Sequence, residues 1–85
     1  MMKIEMASDG ETATLRLSGQ IDESRLAAIE AEVRRYLPRL VFDLAEVTLV
    51  DRTVVQFLAA REEDGVDILR CPRYIREWIG QEVSQ

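Results

Sequence analysis

A chain of 85 residues suits one domain, residues 1–85, and leaves no room for two. Its 47% hydrophobic share is that of a globular protein and argues against disorder. The net charge of −5, with ten arginines and one lysine scattered along the chain, makes nucleic acid and anionic membrane surfaces poor partners.

Cys71 is the single cysteine, so it has no internal disulfide partner. The opening MMKIEMASDG reads as strand and soon turns polar, unlike a signal segment. No apolar run approaches the ~20 residues that span a bilayer. The expected location is cytoplasmic, in a domain whose margin of stability is thin at this size.

Ile4 and Met6 share one face of a weak alternation from Met2 to Ala7, and Ser8-Asp9-Gly10 is a turn signal. In TATLRLSG, Ala13, Leu15 and Leu17 fall on one side and Thr12, Thr14, Arg16 and Ser18 on the other. That is a half-buried strand, Thr12–Ser18, closing an N-terminal hairpin. From Ser24 to Leu37 the period changes: Leu26, Ile29, Val33 and Tyr36/Leu37 form one helical stripe. Asp22 or Ser24 caps its start, Arg34 and Arg35 suit its negative end, and Pro38 forbids continuation.

RLVFDL is nearly continuous apolar sequence, as expected of a strand, Arg39–Leu44, covered on both faces. AEVTLV leads to Asp51, the expected N-cap of a second helix, RTVVQFLAAREED, ended by Gly65. Val54, Val55 and Leu58 should face inward. Val66–Arg70 is a last strand. Cys71-Pro72 should then open a third helix, with Ile75, Trp78 and Ile79 buried and Gly80 as its stop. The runs of charge such as REEDGVD read as solvated surface.

The order ββαβαβα predicts an α/β fold: a small mixed sheet of an N-terminal hairpin and three parallel strands, with about three helices around it. Right-handed crossovers would return the strands' carboxyl ends to one edge, bearing Asp22, Asp43, Asp51 with Thr53, and Cys71. In open α/β sheets that edge is where sites sit.

Catalytic chemistry is poorly supplied. There is no histidine, no Gly-rich phosphate loop and no nucleophile beside a base. Asp22, Asp43 and Asp51 could together suggest magnesium, but no lysine accompanies them and a receiver-type domain needs a longer chain. Cys71 between strand and helix invites a thiolate reading. A phosphatase loop needs Arg six positions on, where Glu77 stands, and a dithiol needs a second Cys. No enzyme, cofactor or metal is expected from these residues. A small nucleotide-binding or thiol-dependent enzyme is the weakest alternative.

Three segments resemble the STAS domain, the family of anti-sigma-factor antagonists and of soluble domains attached to sulfate transporters. TLRLSGQID carries Gly19 and Asp22 where the family has Gly-x-x-Asp. LVFDLAEVTLVD carries Asp43 and Asp51 as the family's Asp-Leu and its second Asp. VDRTVVQFLAA falls where the family has Asp-Ser-Ser/Thr-Gly-Leu opening a helix. The likeness covers nearly the whole chain, with a shorter C-terminal end.

The resemblance implies a protein-binding module in which Thr53 is the phosphoacceptor of a partner kinase. Thr53 would lie in the first turn of the second helix, whose positive dipole end favours a phosphate by about 0.3–1 kcal/mol. Asp51 and Asp22 would oppose it. The bland reading makes Thr53 an ordinary first-turn residue and Asp51 a plain cap, which contributes ~1 kcal/mol by itself. Arg52 replaces the family's first Ser and is expected to pair with the phosphate or with Asp22. Val54 replaces the Gly, putting a side chain where the family keeps backbone open to a partner. The implied contact surface is Asp22, Asp51, Arg52, Thr53 and Gln56, with loops 19–22 and 45–48. The implied partner is a kinase-fold anti-sigma factor. An alternative is the ATPase subunit of an ABC-type lipid transporter, to which a stand-alone STAS subunit docks without a switch.

Overall fold

Across the first hairpin, Ile4 and Met6 of β1 (Lys3–Ser8) stand opposite Leu17 and Leu15 of β2 (Ala13–Ile21), so both strands turn their apolar sides the same way. Asp9 closes the turn, its carboxylate accepting the N–H groups of Glu11 at 2.9 Å and Thr12 at 2.8 Å. The computed structural model describes residues 2–36 and 39–83 of the chain. After β2 come a short 3-10 turn (Glu23–Arg25), α1 (Leu26–Tyr36), β3 (Leu40–Val50), α2 (Arg52–Glu63), β4 (Asp67–Leu69) and α3 (Arg73–Val83). Leu37 and Pro38, the expected end of the first helix, lie outside the described residues.

The sheet order is β1-β2-β3-β4, with β1 antiparallel to β2 and the other pairs parallel. The fold is therefore mixed α/β, as the element order predicted. Because β2, β3 and β4 advance in one direction, right-handed crossovers put α1 and α2 on the same face. There Ile29, Val33, Val54, Val55, Leu58, Ile75 and Ile79 bury Leu15, Leu17, Phe42 and Leu44. Each large core side chain contributes about 1.5–3 kcal/mol by leaving water.

The opposite face overturns one expectation. β3 is not fully covered on both sides: its outward Val41 is only half-buried, and Glu5, Arg16, Asp67 and Leu69 on the same face of the other strands are exposed. Asp43 is the exception at 3% accessible, and the guanidinium groups of Arg16 and Arg70 meet its carboxylate there.

β3 is also longer than its expected end at Leu44. Eleven residues of β3 run beside nine of β2, with register shifts between Arg16 and Ser18 and between Gly19 and Gln20. Each shift is a bulge that adds one residue to β3. Residues 45–48 are accordingly strand, not loop, and Gly19 to Ile21 are strand too.

α2 ends as its sequence implies. The N–H of Gly65 donates to the carbonyl of Glu62 and that of Val66 to Arg61, both at 3.1 Å, the paired bonds of a Schellman cap. Gly65 has φ +101°, which a side chain adopts only at a cost. α3 departs from expectation at both ends. Pro72 precedes it, its carbonyl accepting from Ile75 and Arg76, and the helix passes through Gly80 to Val83. Glycine weakens a helix interior by about 1 kcal/mol but stops it only where the chain turns left-handed, and Gly80 does not.

α2 and α3 are antiparallel and pinned at both ends. Glu62 takes Arg76 at 2.8 Å, and Arg52 takes Glu82 at 2.9 Å. The run REEDGVD is thus more than solvated surface. Arg61 lies 5.6 Å over the ring of Phe57 and pairs with Asp64 at 3.1 Å. Trp78 is partly buried against the core, as its helical face predicted.

Candidate functional site

The tip of α2 is built around Asp51. Val50 is buried and pins the end of β3, and Asp51 then leaves the strand with extended backbone, φ −100° and ψ 175°. One carboxylate oxygen accepts the N–H of Val54 at 2.9 Å, the N-cap expected from sequence. The other accepts the N–H of Glu23 at 2.9 Å, in the turn between β2 and α1. One side chain therefore fixes two separate loops.

Asp22 shapes the facing turn. Its Oδ1 accepts the N–H of Ser24 at 3.1 Å and the Ser24 hydroxyl at 2.5 Å. The hydrogen bond from the Ser24 hydroxyl holds the Asp22 carboxyl below its ordinary value; burial opposes it, and the Ser24 N–H and the charge of Arg25 assist. Asp22 is thus ionised and internally engaged.

Thr53 and Gln56 are exposed, one turn apart at the head of α2, while Val54 and Val55 beside them are buried at 1% and 0% accessibility. Val54 therefore feeds the core and does not stand where a visitor would approach. Arg52 is exposed and pairs with Glu82, not with Asp22. Leu49, just before the tip, is 52% accessible, among the most exposed large apolar side chains described. Asp22, Asp51, Arg52, Thr53 and Gln56 do gather at one end of the molecule, flanked by the exposed Thr48 and Leu49 of β3.

Asp43 and Cys71 do not join them. β4 pairs only with Val41, Phe42 and Asp43, whereas β3 continues to Val50. The carboxyl ends of β2 and β3 are level, Ile21 beside Val50, but that of β4 stops seven residues short of them, roughly 20 Å of strand. Asp22, Asp43 and Asp51 form no carboxylate cluster, and no group of three metal-ligating side chains occurs among the described residues.

Asp43 belongs to a network the sequence did not reveal. It accepts from Arg70, faces Arg16 at 3.6 Å, and takes the N–H of Ala45 at 3.1 Å beside the bulge. Burial works against its charge, but the Arg70 hydrogen bond, the Ala45 N–H and the two guanidinium charges outweigh it, and the carboxyl lies below its ordinary value. Arg70 reaches it from a left-handed backbone, φ +51°, unusual for a residue with a side chain. An acid inside LVFDL was the available signal, since a buried charge requires partners.

Cys71 is partly buried, and its Sγ lies 3.6 Å from the carbonyl of Pro72. Burial pushes its thiol up, with Arg76 opposing and Glu62 assisting. That is the reverse of an activated nucleophile.

No protein-family model matches the chain, and no curated protein matches it. Among the described residues, no helix is long and apolar enough to cross a membrane.

Proposed function

We propose that this chain is a STAS-type protein-binding module that docks a partner on the head of α2 and is switched by phosphorylation of Thr53 in the cytoplasm. The observation that carries the reading is the tip itself. Thr53 is open to solvent on the first turn of a helix whose start Asp51 ties to the neighbouring turn. Such a tip has unpaired backbone N–H groups, tolerates an added phosphate, and is stiff enough to present a fixed surface.

The partner in this reading is a kinase-fold regulator of the anti-sigma-factor kind. Its ATP supplies the phosphoryl group: the γ-phosphorus leaves the bridging oxygen of ADP and bonds to Thr53 Oγ1, and the hydroxyl proton passes to a base on the partner. The product carries about −1.5 to −2 charge next to Asp51 and Asp22. That charge alters the docking surface without entering the core.

A second reading keeps the surface and drops the switch, with the ATPase subunit of a lipid-transporting complex as partner. Arg52 favours it, since this position lacks the family's hydroxyl and its side chain is already engaged by Glu82.

Titration of a purified partner with wild type and Thr53→Glu decides between them. A loss of tenfold or more in affinity is expected for the switch. Unchanged affinity would overturn it in favour of constitutive docking.

A further inference from the structure

The Arg52–Glu82 pair is unequal: the arginine side chain is 66% accessible and the glutamate only 13%. Glu82 sits in the last turn of α3, where the helix dipole disfavours a carboxylate, and that turn has no basic residue of its own. Its counter-charge comes from another helix, from the residue adjacent to Thr53. At the opposite end of the same helix pair, Glu62 and Arg76 form a second pin remote from the tip.

We propose that this ion pair is a relay, in which a phosphate on Thr53 draws Arg52 away from Glu82 and loosens the last turn of α3. The proposal rests on the reading of Thr53 as phosphoacceptor. A phosphate offers more charge than one carboxylate and three acceptor oxygens, and a guanidinium can meet it through two parallel N–H bonds. Adjacent side chains leave a helix about 100° apart, a gap that the long arginine stem can cross while its backbone stays in place. Arg52 is the exposed member, so moving it uncovers little apolar surface. Glu82 is the covered member, and losing its partner leaves a desolvated charge on the wrong end of a dipole. The event at the head of α2 is thereby transmitted to the C-terminal turn of α3 with the core unmoved.

The test is amide hydrogen exchange of residues 79–83 in the 85-residue chain assembled with phosphothreonine at position 53, compared with the unmodified chain. The phosphorylated chain should exchange about two- to five-fold faster in that turn. Arg52→Ala should show the same acceleration without phosphate, and phosphate should add nothing to it. Glu82→Gln, which needs no counter-charge, should be insensitive to phosphate. Unchanged exchange in the phosphorylated chain, or a further acceleration by phosphate in the Arg52→Ala background, would overturn the relay. Partner affinity read on the same samples keeps the two ideas apart. A responsive α3 with a partner indifferent to phosphate removes the switch and leaves the relay, and a silent α3 with a partner that is refused does the opposite.

Discussion

Asp51 and Glu23 lie 28 residues apart in sequence, yet the backbone N–H of Glu23 donates to the Asp51 carboxylate at 2.9 Å while Val54 occupies its other oxygen. The residue that starts α2 also positions the turn before α1. Cap and proposed docking surface are therefore one construction, and losing the Glu23 bond would part the two loops that make it.

Asp51→Ala removes both bonds, and the expected loss is roughly 2 kcal/mol, about 1 from the cap and about 1 from the bridge. Asp51→Ser keeps a single acceptor for Val54 and gives up Glu23, so it should lose about half as much. Urea unfolding of the two variants checks the difference. Equal losses would show that the Glu23 bond adds nothing to stability.

The α2 tip was legible because its signals are local. Asp51 precedes Val54 and Val55 at helical spacing, and a cap needs only neighbours in sequence. The second half of β3 was hidden because its inward residues are Leu44, Val47 and Val50, spaced by three. Strand recognition expects a spacing of two, and the two bulges that restore the phase are set by pairing with β2. The same long-range dependence concealed Arg16 and Arg70 as partners of Asp43, and Glu82 as partner of Arg52. Gly80 misled for another reason. Its composition permits a stop, but its backbone remains helical.

Asp43 gives the molecule a defined acid sensitivity. Its carboxyl is held below 3.8 in the folded chain, so the stability it contributes is fully present above about pH 4 and is lost as pH falls through the folded value. Asp9 and Asp22 are shifted the same way, by the N–H groups of Thr12 and Glu11 and by the Ser24 hydroxyl respectively. Asp43→Asn should cost about 1.5–3 kcal/mol at neutral pH, the worth of hydrogen bonds to a charged group with solvent-exposed partners. As pH falls through that folded value the variant should approach wild type. Stability curves measured from pH 7 to pH 2 would contradict this if the gap between the two proteins stayed constant.

Gly65→Ala isolates a backbone effect. A Cβ built at this position meets nothing within 4 Å, so no steric clash enters, and the cost is that of φ +101° alone. The expected destabilisation is roughly 1–2 kcal/mol, with Gly65→Asn milder because asparagine tolerates left-handed backbone. Thermal melts of both variants provide the comparison. A neutral alanine would mean that the turn after α2 relaxes to a negative φ at no cost.

Cys71 separates the binding readings from the enzyme alternative. Its thiol is partly buried and pushed up, so the reactive thiolate is scarce at neutral pH. Alkylation by iodoacetamide at pH 7.5 (a value chosen because a free thiol is then partly ionised) should run at least several-fold slower than for a model peptide thiol. Cys71→Ser should leave partner affinity unchanged, because β4 ends beside Asp43 and the thiol that follows it is remote from Thr53 along the sheet. Fast alkylation, or a serine variant that fails to bind, would move the functional site away from the head of α2 and toward the start of α3.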